Sequence, residues 1–286
     1  MECWRVGVMK NMTDQTCIEF LQWCLPRMQY RWEGFRKVRK QVCKRVHRRR
    51  IELKLSDLSK YQKYLKENEE EWGVLDSLCN ITISRFYRDR DVFDTIQNEL
   101  YLQLIGYSNK HNENELRCWS VGCCSGEEPY TLMILWNYRI LPSLKEKCLF
   151  QIIATDREEK LIERARRGIY PPGSLKDLPG SFIDKAFIPL DFGYKINEEL
   201  NTNIEFVEQD IREGMPDGKF HIILCRNLVF TYFQKDLQLK ILTKLVDKLR
   251  PAGYLIIGAH ESLPERSENH GVYKKARSIY QKMIIA

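Results

Sequence analysis

The sequence predicts an α/β architecture, with a mainly parallel sheet covered on both faces behind a small helical domain. Three observations carry that expectation. From Leu116 onward, short apolar runs of strand length alternate with amphipathic runs of helical period, the pattern of strands joined by crossover helices. Before about Asn80 the periodicity is helical, with little strand character. The 286 residues, 43% of them hydrophobic, suffice for one large domain or a large one with a small companion. The boundary is placed after residue 84, giving domains 1–84 and 85–286.

The elements follow in order. "CIEFLQWCLPRM" and "FRKVRKQVCKRVHRRR" read as helices, as does "LSDLSKYQKYL" with Ser56 as a candidate N-cap. "ITISRFYRDRDVF" leads out of the helical region, and a helical pattern runs on through Leu104. Next come strand "LRCWSVG", helix "PYTLMILWNYR", strand "LFQIIATD" and helix "KLIERARRG". Strands "NIEFVEQD" and "FHIILCRN", helix "DLQLKILTKLVDKL" and strand "YLIIGAHESL" complete the alternation. "RPAGY" supplies the turn before that last strand, through Pro251 and Gly253. The segment 170–200 stands where a crossover helix belongs, so an inserted subdomain is expected there; the end, "GVYKKARSIYQKMIIA", can add a final strand.

Charge is unevenly spread. Between Arg31 and Arg50 there are ten Lys or Arg against the single acid Glu33, while Phe35, Val38, Val42 and Val46 recur at helical spacing. A solvated face is the ordinary reading of charged residues, but surface helices mix signs, so this one-sided helix points to an acidic partner, protein or nucleic acid. The opening "MECWRVGVMK" lacks the apolar centre of a signal peptide, and no apolar run approaches eighteen residues, so a cytoplasmic chain without membrane insertion is expected. The ten cysteines include no C-x-x-C pair and are expected to be mostly reduced.

"SVGCCSGEEP" turns a strand into a helix, with Gly122 and Gly126 freeing the backbone to approach a ligand. Neither G-x-G-x-x-G nor a Walker loop is present. Glu127 and Glu128 stand where a phosphate would meet the positive end of the helix, so a cationic ligand fits better. S-adenosylmethionine, with an ammonium, a sulfonium and no phosphate, has that character. The plain alternative is that the glutamates complement the helix dipole, with Pro129 in the first turn. Asp156, at the end of "IIATD", is placed to accept hydrogen bonds from a ribose diol, though an acid there also caps helices. No metal site is expected: adjacent Cys123 and Cys124 diverge on a turn, and no histidine cluster supports them.

These residues resemble the CheR-type methyltransferases, which esterify glutamate side chains of chemotaxis receptors. "WSVGCCSGEEPYTL" is similar to that family's cofactor loop, "ATDREEKLIERARRGIYPPGSLKDLP" to its second strand and following helix, and "ITISRFYRD" to its linker motif. "FHIILCRNLVFTYF" and "LRPAGYLIIGAHESL" resemble its fourth and fifth strands. The resemblance implies a Rossmann-like S-adenosylmethionine-dependent sheet, a small N-terminal all-α substrate-recognition domain and a small inserted β-subdomain at 170–200. It implies Thr82, Ser84, Arg88, Gly122, Glu128, Asp156, Asp210, Ile211, Arg226 and Asn227 at the cofactor, with Arg88 and Tyr232 nearest the transferred methyl. Arg45, Arg48 and Arg49 of the basic helix would face a glutamate-bearing protein, such as a signalling receptor, and the enzyme would act as a monomer.

The chain departs from the family pattern at Thr82, Cys124 and Asp210, where Asn, Ser and Asn are usual. "RNLVFTYF" also carries one residue more than R-N-x-x-x-Y-F, so either a bulge keeps Tyr232 in place or Thr231 takes its position. Two other readings follow from the same residues: methylation of nucleic acid or a small molecule by the same cofactor, and a cofactor-binding module without catalysis.

Overall fold

The computed structural model describes residues 13–146, 148–264 and 270–283. The opening "MECWRVGVMK", on which the leader-peptide expectation rests, lies outside them. Backbone contacts divide the chain into two units: the described residues up to Thr82 together with Thr231–Leu237, and Ile83–Phe230 with the residues from Gln238 onward. The grouping of 231–237 with the first unit is not visible in the sequence pattern.

The first unit holds α1 (Asp14–Cys24), the short α2 (Trp32–Phe35), α3 (Arg39–Glu52), α4 (Leu58–Glu67) and α5 (Glu70–Leu78). A capping box between Thr13 and Thr16 starts α1. At α4 the N-cap is Asp57, which accepts from the Lys60 amide at 2.9 Å. Ser56, the expected cap, instead donates its hydroxyl to the Asp57 carboxylate; a carboxylate is the stronger acceptor for helix amides. Phe20, Leu21, Val42, Val46, Tyr61, Leu65 and Leu75 fill the interior. Cys17 of α1 and Cys43 of α3 face each other there and form a disulfide, with 6.0 Å between their Cα atoms. The expectation of mostly reduced cysteines thus has one pair as exception, and the other seven described cysteines are free thiols. Segment 231–237 pairs with residues 29–31 through an antiparallel bridge between Tyr30 and Phe233.

In the second unit α6 (Arg90–Thr95) continues through a π-helical turn (Ile96–Leu100) into α7 (Tyr101–Lys110). Then follow β1 (Glu115–Val121), α8 (Glu127–Leu135), β2 (Leu149–Asp156), α9 (Glu159–Arg167), β3 (Ile169–Tyr170), α10 (Gly180–Ala186), β4 (Phe187–Leu190) and β5 (Gly193–Ile196). After them come β6 (Ile204–Glu208), β7 (Phe220–Cys225), β8 (Leu249–Ile257), β9 (Val272–Ala276) and β10 (Ile279–Lys282); between β7 and β8 lie α11 (Val229–Tyr232) and α12 (Lys235–Lys248), each partly within segment 231–237 of the first unit. The large sheet runs β6-β2-β1-β7-β8-β10-β9. Its first five strands are parallel, and β10 and β9 join antiparallel. The strand order reverses at β1, which lies between β2 and β7, and this opens a crevice at the carboxyl ends of those strands.

The apolar runs explain the layers. β7 is buried at every position, as a central strand covered on both faces must be, and α8 buries nearly all of its side chains. The anomalous stretch 170–200 forms a three-stranded antiparallel sheet, β3-β5-β4, with α10 beside it. "RPAGY" does not break the chain before β8: the strand already starts at Leu249, and its irregular residue is Ala252, with φ 59°.

Candidate active site

The crevice starts at the β1–α8 loop. Gly122 (φ 67°), Cys124 (φ 50°) and Gly126 (φ 88°) all take the left-handed conformation that lets the chain curl at the strand end. The Cys123 amide donates to the Thr155 carbonyl at 2.9 Å, tying the curl to β2. Burial and the neighbouring acids push both the Cys123 and Cys124 thiols up, so neither is an activated thiolate. Among the described residues no three His, Cys, Asp or Glu side chains converge as a metal site.

Three carboxyl groups gather at this loop. Glu128 accepts from the Ser120 hydroxyl at 2.8 Å through Oε1 and from Arg226 Nη1 at 2.9 Å through Oε2. Glu127 is almost fully buried; burial pushes its pKa above the usual carboxylate range, partly offset by backbone amides and by the Ser84 hydroxyl, which donates to it. Its Oε2 atom is buried and has no hydrogen-bond partner among the described residues. Asp156 is also raised by burial, against the amides of Glu158 and Cys124, which donate to Oδ1 at 3.1 Å and Oδ2 at 2.9 Å. These amide contacts make Asp156 a clamp on the loop and on the start of the next helix, and each oxygen retains a lone pair.

The linker brings Arg88 close to these acids. Tyr87 and Asp89, on either side of it, both have φ near +60°, a conformation uncommon outside glycine and asparagine. The turn is held at several points: Phe86 N donates to the Ser174 carbonyl, Tyr87 N to the Thr131 hydroxyl, and Arg88 Nη1 to the Ile83 carbonyl at 2.6 Å. From β7, Arg226 Nη2 reaches the Arg88 carbonyl at 2.8 Å and Asp89 Oδ2 at 2.7 Å. Neither Asp89 nor Ser120 is singled out by sequence reasoning, although each adjoins a residue or motif that is.

At the end of β6, burial, the largest influence on Asp210, pushes its carboxyl up, but the Arg212 guanidinium and amide outweigh it and hold the net value below the usual range. Ile211 is buried beside it. At the end of β7, Asn227 (φ 55°) donates its amide to Glu261 Oε2, which also accepts from the Gly258 amide. A Cβ on Gly258 would lie 2.6 Å from Asn227 Oδ1 and 2.8 Å from Glu261 Oε2, so a side chain there would push both groups aside. Glu261, too, is missed by sequence reasoning; its signal is the acid within "GAHESL".

The remaining expected residues fall in the first unit. Thr82 is exposed at its end. Tyr232, the last residue of α11, has its ring 5.0 Å from that of Phe35, the two tilted by 58°. In α3, Arg45 donates to the Leu78 and Asn80 carbonyls and Arg49 pairs with Glu71 at 2.7 Å. Arg50 is buried and bonds to the Leu55 and Ser56 carbonyls. Of the three expected substrate-facing arginines only Arg48 is exposed, continuing a ridge with Lys40 and Lys44 at i, i+4 spacing.

Residues 82–279 match the family model described as "CheR methyltransferase, SAM binding domain". The chain belongs to the CheR methyltransferase family. A "Chemotaxis protein methyltransferase" of Borreliella burgdorferi is 30% identical over 220 residues, covering 74% of this chain and 77% of that protein. One from Listeria innocua is 29% identical over 213 residues, 74% and 78% of the two chains. An "Uncharacterized 104.1 kDa protein in hypE 3'region" of Rhodobacter capsulatus is 28% identical over 240 residues, covering 84% of this chain and 25% of that protein.

The CheR cofactor, S-adenosylmethionine, suits the chemistry of this crevice. A phosphate-bearing ligand would meet three carboxyl groups, one of them with an unpartnered buried oxygen, whereas a cation finds acceptors there. A side chain at Gly122 would be strained by its φ of 67° and would press its Cβ to 2.8 Å from Leu228 Cδ2. Glu128 and Glu127 bring two carboxyl groups to the start of α8, and Asp156 stands at the carboxyl edge of β2. Among the described residues no helix is long and apolar enough to cross a membrane.

Proposed function

We propose that this CheR methyltransferase esterifies glutamate side chains of a protein substrate, a signalling receptor, as a cytoplasmic monomer. The acid-lined glycine loop inside the matched segment is the observation that carries the reading. Bound S-adenosylmethionine supplies an electrophilic methyl on a sulfonium. A glutamate acceptor, with an ordinary pKa of about 4.3, is already a carboxylate at neutral pH and needs no general base. Because attack merges opposite charges, the enzyme's work is alignment and exclusion of water.

Within that reading, Glu128 and Asp156 orient the cofactor, and Ser84 and Thr82 border it. Arg88 directs the acceptor carboxylate, its backbone fixed by the linker turn. Tyr232 orients the nucleophile through its hydroxyl. The exposed ridge of Lys40, Lys44 and Arg48 engages an acidic helical surface of the substrate, while Arg45 and Arg49 keep α3 in place. Gly122, Asp210, Ile211 and Asn227 shape the walls of the cofactor crevice.

A receptor cytoplasmic fragment incubated with enzyme and cofactor tests this reading. Peptide mapping should find added methyl groups on glutamates, and a fragment with those glutamates changed to glutamine should accept none. Methylation confined to lysine, arginine or added RNA would overturn it.

A further inference from the structure

We propose that Asp89 is a positioning residue for the cofactor: by sharing Arg226, it keeps the negative charge of Glu128 available for the ligand's ammonium group. The inference rests on the cofactor assignment above and deepens it.

The Arg226 side chain is only 4% exposed, so its charge must be met by protein groups. It meets two carboxylates at once, Glu128 through Nη1 at 2.9 Å and Asp89 through Nη2 at 2.7 Å. Nη2 also donates to the Arg88 carbonyl, Nε has no hydrogen-bond partner among the described residues, and the guanidinium carbon lies 5.1 Å from the Phe93 ring. Two carboxylates and one guanidinium leave one negative charge at the mouth of the loop. Without Asp89 the sum is zero: Arg226 is compensated by Glu128 alone, and an incoming ammonium competes with a guanidinium already in place.

The backbone supports the same role. Asp89 sits at φ 62°, and the Arg88 carbonyl just before it is held by the same guanidinium nitrogen. Aspartate and asparagine tolerate this conformation better than other side chains, so Asp89→Asn removes the charge while keeping an acceptor and the turn.

Two ligands that share nucleoside and sulfur separate the charge effect from the fold. S-adenosylhomocysteine carries the ammonium with its neighbouring carboxylate, and 5'-methylthioadenosine carries neither; loss of a protein carboxylate weakens only the hold on the ammonium. By calorimetry, Asp89→Asn should weaken S-adenosylhomocysteine by about tenfold, the scale of one charge-assisted contact, and leave 5'-methylthioadenosine within about twofold. In a Glu128→Gln background the same substitution should cost less than about threefold, because the two charges act together. Equal losses for both ligands, or unchanged S-adenosylhomocysteine binding, would overturn the role of Asp89. Failure of the unaltered enzyme to bind either ligand would overturn the cofactor assignment, and the inference with it.

Discussion

An alanine at Gly34 should loosen the segment that carries Tyr232. The added Cβ would lie 2.3 Å from the Thr231 carbonyl oxygen, 3.0 Å from its carbon and 3.1 Å from Tyr232 Cα. All three are backbone atoms, so no side-chain rotation relieves the clash, and segment 231–234 must move by about an ångström to restore ordinary contact. The hydrogen bonds that hold that segment include Arg31 Nε to the Thr231 carbonyl at 2.9 Å, Arg31 N to the Tyr232 carbonyl at 2.8 Å, and Gln234 N to the Gln29 carbonyl at 2.8 Å. At about 1 kcal/mol each their loss costs roughly 3 kcal/mol. Reduced freedom of the unfolded chain returns about 0.5 kcal/mol, leaving a net local destabilisation of about 2–3 kcal/mol.

Hydrogen exchange at the Gln234 amide reads this directly. Its protection should fall by about 30- to 150-fold, the equivalent of 2–3 kcal/mol. Methyl transfer should fall with it if Tyr232 orients the nucleophile, while cofactor affinity should be retained if Glu128 and Asp156 orient the cofactor. Unchanged protection at Gln234 would refute the packing argument; lost protection with full activity would remove Tyr232 from the reaction.

Three further outcomes follow from the same geometry. Burial raises Asp156 and Glu127, so their contribution to the stability of the unliganded protein is present below their ordinary values near 4 and is lost as pH rises through the raised ones. A cation offsets that loss at Glu127, so cofactor affinity should climb as pH rises above about 4 and the climb should flatten in Glu127→Gln; a flat profile in the unaltered enzyme counts against the assignment. Under oxidising conditions, replacing Cys17 and Cys43 by serine should destabilise the first unit by up to about 3.5 kcal/mol, the loop-closure value for a 26-residue separation, read by thermal melts with and without dithiothreitol. Reversing the charges of Lys40, Lys44 and Arg48 should lower kcat/KM for the protein substrate by about tenfold or more at low salt and leave cofactor binding unchanged, whereas equal activity would move the docking surface elsewhere.

The strands and their catalytic edge were legible because apolar run length and the residues that end each run are local signals. "LFQIIATD" coincides with β2, and Asp156 does stand at the carboxyl edge of the sheet. The segment 170–200 announced itself by breaking the alternation, though its three-stranded pairing needed the structure. What stayed hidden depends on partners far along the chain. The basic helix reads as one charged face, yet Arg45 and Arg49 are claimed by acceptors 22 to 35 residues away. Arg226 gathers Glu128 and Asp89 across 98 and 137 residues, a convergence no spacing rule encodes. The pairing of Cys17 with Cys43 and the docking of residues 231–237 beside residues 29–31 are of the same kind.

The most direct test of the account follows a labelled methyl group. S-adenosylmethionine labelled at that methyl, incubated with the enzyme and a receptor fragment, should label the protein, and mild alkali should release the label as volatile methanol, as carboxyl esters require. A label stable to alkali, or cofactor binding with no transfer to any protein, would contradict it.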